Sequence, residues 1–275
     1  MYSPTGEMVF NSNQVATLRI LLASLALLPF GYRAIKRIQI KKDMLYFLIV
    51  SICGNMLPAF LFTFAETGIS SGFAGMLNST TPIFTIFIGF GFFKIKMTWT
   101  QIIGSVIGSI GVVLLLYFGK AVSLQGDWKH IIAVVLATLC YATSLSTIRY
   151  KLSHYKSIDI AAIAFIILLI PSIIIFFLER TWIVFETNQF AWNNFMSISI
   201  LGLIGTAFAL FLFNNIIKNT SALFASSVTY FIPIVAVIIG FFFGEQLSAY
   251  QILSMFIVLL GVFIANFLGI KNSRH

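Results

Sequence analysis

The chain has 275 residues, of which 59% are hydrophobic and 9% are charged, with a formal net charge of +9. Soluble domains carry about 25% charged residues, so no water-soluble core accommodates this much apolar surface, and lipid is the expected solvent. In that setting the positive balance is explained by basic residues in loops, and it does not imply nucleic-acid binding.

Apolar runs of about 20 residues, the length that crosses a bilayer as an α-helix, predict nine spans at 14–32, 43–65, 71–93, 99–119, 128–150, 157–179, 194–217, 221–243 and 248–269. The segment before the first run, MYSPTGEMVFNSNQ, lacks the basic n-region of a cleavable signal peptide. Loops are short; the longest are 119–127 and 180–193, the latter carrying Trp182, Glu186 and Trp192. Trp99, Trp128, Trp182 and Trp192 all fall at predicted helix ends, where aromatic belts sit. Thirteen of the seventeen Lys and Arg residues belong to one set of alternate loops and three to the other. The richer side is expected to be cytoplasmic, with the C-terminus inside and the N-terminus outside. Cys53 and Cys140 lie inside apolar segments, and His130, His154 and His275 are isolated, so no metal site and no cofactor are expected.

The chain also repeats itself. Residues 54–74 (GNMLPAFLFTFAETGISSGFA) align with residues 205–225 (GTAFALFLFNNIIKNTSALFA) at an offset of 151. The register continues through Pro82 on Pro233 and Gly89 on Gly240. After the loss of one residue, Gln101 falls on Gln251 and Gly111 on Gly261. With nine spans the two copies run through the membrane in opposite directions, which makes the repeat inverted. A duplicated hydrophobic unit of opposite topology is the mark of a carrier whose substrate sits between the copies.

Several motifs occur in a characteristic order. An Arg lies in an apolar helix (ATLRILLASLALLP, 16–29), and small residues lead to a proline in each copy (SSGFAGMLNSTTP, 70–82; SALFASSVTYFIP, 221–233). Gly244-Glu245 stands at a helix end, and a Q-x-x-G-type helix ending in Gly-Val occurs in both copies (Gln101 to Val112; Gln251 to Val262). This pattern resembles the EamA-type permeases of the drug/metabolite transporter superfamily over nearly the whole chain. The resemblance implies an all-α, polytopic membrane helix bundle made of two inverted five-helix repeats, here 1–120 and 127–270. The first repeat is read as lacking its opening helix. Lys94 stands where the first copy of Glu245 would be. The implied function is export of a small metabolite such as an amino acid, or of a drug-like solute, by alternating access across a bacterial plasma or inner membrane. A non-transporting or truncated membrane scaffold is the alternative. An enzyme is not expected. The expected partners are the bilayer, the small-molecule substrate and a second copy of the chain in a homodimer, with no nucleic acid.

Five residues are the candidate substrate contacts. Arg19 is an intramembrane charge, which either attracts an anionic group of the solute or bonds a carbonyl or Glu66 near the external rim. Asn78 opens a polar turn, with Ser79, Thr80 and Thr81, before Pro82; Thr229 and Tyr230 occupy its copy before Pro233. Proline frees a carbonyl one turn back, and such irregular backbone is tolerated where it lines a cavity. The opposing reading is that the hydroxyls bond back to their own helix. Tyr141 is central in its helix, and Asn214 lies near a cytoplasmic end, where it either lines the site or reaches the interface. Asn266 is read as an interhelical hydrogen bond, and Gly104, Gly108 and Gly111 as a close-packing face. No Asp or Glu falls deep in a span, so facilitated or weakly coupled transport is expected.

Overall fold

The computed structural model describes residues 8–69, 71–95, 97–118, 128–242 and 248–268, and the regular elements among them are all helices. In chain order they are α1 (Ser12–Ile35), α2 (Ile40–Ser51), α3 (Leu57–Ala65), α4 (Ser71–Asn78), α5 (Thr81–Phe93), α6 (Trp99–Phe118) and α7 (Trp128–Lys151). There follow α8 (Ser157–Leu178), α9 (Thr181–Thr187), α10 (Ala191–Gly202), α11 (Ala209–Asn219), α12 (Ala222–Ser226), α13 (Phe231–Phe242) and α14 (Ala249–Phe263). Glu245 and the 119–127 connection lie outside the described residues. Large apolar side chains face outward, with Phe92 80%, Leu178 75% and Met196 70% exposed. Water would not tolerate that surface, whereas lipid solvates it.

Among the described residues, six helical segments are long and apolar enough to cross a membrane: Ser12–Ile35, Lys42–Ala65, Trp128–Lys151, Ser157–Leu178, Ala191–Asn219 and Ala249–Asn266. The other three expected spans, 71–93, 99–119 and 221–243, are represented among the described residues by the shorter apolar helices Thr81–Phe93, Trp99–Leu115 and Ala222–Val235. The 71–93 run is broken between α4 and α5 just before Pro82, and the 221–243 run passes through a 3-10 turn, Ser227–Tyr230, just before Pro233. The 180–193 loop also differs from expectation, because it contains the short helix α9.

The helix starts follow from local chemistry. In α1 the Asn11 side chain accepts from the Gln14 N–H at 2.8 Å, while Gln14 accepts from the Asn11 N–H at 3.0 Å. Ser248 and Gln251 do the same for α14 at 3.2 and 2.9 Å, and Thr98 and Gln101 for α6 at 3.4 and 2.9 Å. The repeated Gln101 and Gln251 are therefore the third-position partners of reciprocal capping boxes.

Two compact units are present. The first comprises Met1–Phe64 and Thr147–Asn219, the second Ala65–Ser146 and Thr220–His275. In the first unit α1 packs along α8, joined by α10, α11 and α2. Its core gathers Ile20, Ala23 and Leu27 of α1 against Ala161, Ala162, Phe165 and Leu168 of α8. Two π-helical turns interrupt this unit, at Ile52–Met56 and at Leu203–Phe208. In each, a side chain takes the carbonyl five residues back: Asn55 Nδ2 donates to Val50 O at 3.1 Å, and Thr206 Oγ1 donates to Leu201 O at 3.0 Å. Such one-turn widenings need a substitute partner for the carbonyl they release.

One end of the first unit is tied by buried carboxylates. Arg37 Nη2 meets Asp159 Oδ1 at 2.7 Å, in the first turn of α8 where a negative charge suits the helix dipole. Tyr155, between α7 and α8, donates its hydroxyl to Asp43 Oδ2 at 2.6 Å and accepts from the Gln39 N–H at 3.1 Å. Burial first, and then the bond to Asp43, push the Tyr155 phenol above its ordinary value; the Gln39 N–H opposes them. A raised folded-state value means that the folded form holds its proton more tightly, so this stabilisation is complete below the unfolded value of 10.0 and is lost as pH rises above it. Tyr155→Phe should cost about 1.5–3 kcal/mol at neutral pH, as expected for a hydrogen bond to a charged group. Melting of both proteins in mild detergent should show that gap narrowing above pH 10.0; a gap independent of pH would refute the assignment.

Candidate functional site

In the second unit the two proline-broken helices cross. The 71–93 segment lays α4 against α13 and α5 against α12, and the 3-10 turn before Pro233 touches α5. The breaks therefore lie together inside one compact unit. Pro82 has no N–H for the Asn78 carbonyl, and the Thr81 hydroxyl fills that role at 2.5 Å while also reaching Asn78 Oδ1 at 3.2 Å. Thr80 Oγ1 donates to Leu77 O at 2.6 Å and Thr85 Oγ1 to Thr81 O at 2.9 Å. In the second break, Ser226 and Ser227 both donate to Leu223 O, at 2.8 and 2.9 Å, and Thr229 Oγ1 donates to Ser226 O at 2.8 Å. Asn266 donates to Ser227 Oγ at 3.2 Å, the interhelical bond expected of it. The hydroxyls thus hold the breaks open by bonding to their own backbone, while Asn78, Ser79 and Ser227 are all buried.

Tyr230 is fully buried, and its hydroxyl donates to Ser105 O at 2.8 Å and lies 3.3 Å from Ser109 Oγ. Its ring rests on Gly108 of α6, where a Cβ would come within 3.0 Å of it. The glycine face predicted from spacing is real. Cβ atoms at Gly104 and Gly111 would meet backbone of Ala265 and Val258 at 2.3 and 2.6 Å, so α6 and α14 cross at backbone contact. Tyr141 lies half-buried on α7.

Arg19 and Asn214 belong to the first unit. The Arg19 backbone packs on Gly202 of α10, where a Cβ would sit 3.2 Å from Arg19 O. Arg19 Nε is buried without a hydrogen-bond partner among the described residues, as are Thr17 Oγ1 and Ser24 Oγ on the same helix. Asn214, on α11, does not reach the interface. It is 0% exposed, and neither its Nδ2 nor its Oδ1 has a partner among the described residues. Its neighbour Asn215 is the exposed one, 3.5 Å from Ser157 Oγ. Asn78 and Tyr230 are thus brought onto one pair of crossed helices, while Arg19 and Asn214 lie on α1 and α11 of the other unit. Thr17 and Ser24 escaped sequence reasoning because isolated hydroxyls on an apolar helix ordinarily bond back to it.

Set beside known proteins, the chain matches the model of the EamA-like transporter family over residues 5–117 and again over 128–267. The chain belongs to the EamA-like transporter family. Among its relatives is the uncharacterized transporter YdfC of Bacillus subtilis (strain 168), 30% identical over 137 residues, which are 50% of this chain and 43% of that one. An uncharacterized transporter of Clostridium kluyveri is 23% identical across 91% of this chain and 82% of its own length. The uncharacterized inner membrane transporter YedA of Escherichia coli (strain K12) is 26% identical across 90% of this chain and 79% of its own. A solved structure described as a crystal structure of protein shares the fold with a TM-score of 0.69 at 13% identity, covering 95% of this chain and 89% of that one. This EamA-family chain is a multi-pass membrane transporter and falls among transporters, not enzymes.

Proposed function

We propose that this EamA-family protein exports a small zwitterionic or amphipathic solute, such as an amino acid or a drug-like compound, by alternating access between two inverted repeats, 1–120 and 127–270. The observation that carries the reading is the crossing of two helices broken before Pro82 and Pro233. Broken helices at membrane depth gather backbone and side-chain polar groups, and carriers place their sites at such breaks. Further support comes from the duplication. The π-helical turns with their Asn55 and Thr206 donors lie 151 residues apart, the same offset that aligns the two copies in sequence. The excess of Lys and Arg on one set of loops favours a cytoplasmic C-terminus, and YedA's name favours a bacterial inner membrane.

The substrate contacts in this reading are Asn78, Tyr141 and Tyr230 of the second unit and Arg19 and Asn214 of the first. Tyr230 would have to exchange its bond to Ser105 for one to the solute. Counterflow into proteoliposomes, run with a panel of radiolabelled amino acids and amphipathic drugs, tests the proposal. At least one solute should exchange, and Asn78→Ala should slow it by about tenfold, the equivalent of one lost hydrogen bond of about 1.4 kcal/mol, in protein that remains folded. No exchange of any panel solute by folded protein would refute it.

A further inference from the structure

A concave surface lies in the first unit. At the end of α8 the chain turns through Arg180 in the left-handed region (φ 48) and forms α9, whose Val184 and Phe185 pack against a core cluster that includes Phe10 and Leu18. This corner is clamped by Glu179, whose carboxylate accepts from Asn13 Nδ2 at 2.8 Å and Asn11 Nδ2 at 3.2 Å, and whose carbonyl accepts from Gln14 Nε2 at 3.1 Å. Beside the clamp is a groove of about 400 Å³, a volume within the range of ligand sites. Its floor is the Leu18, Leu22 and Leu25 stripe of α1, and its mouth is formed by Trp182, Glu186 and Trp192. The stripe runs about 10 Å along the helix, which is about two thirds of one leaflet of a hydrocarbon core about 30 Å thick.

The mouth has a specific chemistry. Trp182 and Trp192 are 43% and 62% exposed, as befits rings at the membrane–water boundary. Among the described residues, Glu186 is the only ionisable one lining the groove. It is exposed and, among the described residues, makes no hydrogen bond or ion pair. The nearby Glu179 already has its amide donors. A single carboxylate flanked by aromatic faces favours an ammonium group and repels a head whose net charge is negative. An apolar slot beneath an ammonium site describes an amphiphile lying along α1.

We infer that this groove holds one acyl chain of phosphatidylethanolamine, with Glu186 accepting a hydrogen bond from the lipid's primary ammonium. The ammonium carries N–H donors, which a choline head lacks, and the zwitterion brings no net charge toward Glu186. The test of this site does not depend on transport. The full chain, carrying Trp99→Phe and Trp128→Phe so that Trp182 and Trp192 report alone, is reconstituted in phosphatidylcholine vesicles. Small equal fractions of phosphatidylethanolamine or phosphatidylglycerol with brominated acyl chains are then added. The brominated phosphatidylethanolamine should quench several-fold more than the phosphatidylglycerol. Glu186→Gln, a surface change that leaves the fold intact, should equalise the two, and Glu186→Lys should reverse the order. Equal quenching in the unmodified site, or a preference that survives Glu186→Gln, would overturn the proposal. So would dodecyltrimethylammonium relieving quenching where phosphatidylethanolamine shows no preference, since that assigns the groove to a soluble amphiphile.

Discussion

Replacing Asn214 with leucine should stabilise this protein and stop it working. Asn214 is 0% exposed, with neither end of its amide bonded among the described residues. A buried polar group without a partner costs about 1–3 kcal/mol, and Asn214 leaves two such atoms. Leucine has the same branched shape and no polar atoms, although its methyls are bulkier, so Asn214→Leu should raise the unfolding free energy by about 1–3 kcal/mol less whatever the extra volume costs in overpacking. The alignment of the copies sharpens the point. The residue 151 positions earlier is Thr63, whose hydroxyl donates to Ala59 O at 2.9 Å and lies 3.1 Å from Phe60 O. One copy is satisfied by its own helix and the other is not, so the polar group at 214 persists at a cost to stability. Such a group is retained where a ligand, or another stage of the transport cycle, completes it. Counterflow by Asn214→Leu should fall by tenfold or more, while its melting temperature rises. A variant that melts lower and transports normally would show that Asn214 has a structural partner and no role in transport.

The class of the fold was legible because lipid imposes a length on apolar runs, and the six membrane-long segments overlap expected spans. The breaks were legible only in part. Pro82 and Pro233 marked two of them, since proline cannot donate to the ladder, but nothing in the apolar pattern at 43–65 or 194–217 announced the π-helical turns. A single wide turn shifts the helical period too little to show against uniformly apolar neighbours, and only Asn55 and Thr206 hint at it. The Asp43, Tyr155, Arg37 and Asp159 group was illegible for another reason. Its bonds join residues 112 and 122 positions apart, and each side chain alone reads as an ordinary helix-end charge. Asn214 was read as either lining the site or reaching the interface because it lies near a helix end; its burial beside the exposed Asn215 is decided by the rotation of α11 against α8. Glu186 and the Trp residues were noted as loop features, and their convergence on one groove needed the left-handed turn at Arg180.

The crossing of α6 and α14 predicts the largest loss of stability from the smallest change. A methyl group on Gly261 would lie 2.2 Å from Gly108 N, 2.5 Å from Gly108 Cα and 2.7 Å from Gly104 O. All three are backbone atoms, so no side chain can rotate away and the helices must part. By intrinsic preference alone, Gly→Ala inside a helix is favourable by about 0.5–1 kcal/mol. Overpacking at a close crossing costs about 1–3 kcal/mol, and more where backbone must move. The second effect should win, leaving Gly261→Ala destabilised by about 2 kcal/mol. Separating α6 from α14 also pulls Tyr230 away from Gly108 and loosens its bond to the Ser105 carbonyl, so the break before Pro233 loses its brace. Gly91 on α5 is the control, because nothing lies within 4 Å of a Cβ there. Gly91→Ala should therefore show the propensity gain alone, a stabilisation of about 0.5–1 kcal/mol. Unfolding both variants beside the parent chain in mixed detergent micelles separates the two forces by sign. If Gly261→Ala instead matches Gly91→Ala, then α6 and α14 do not meet at backbone contact.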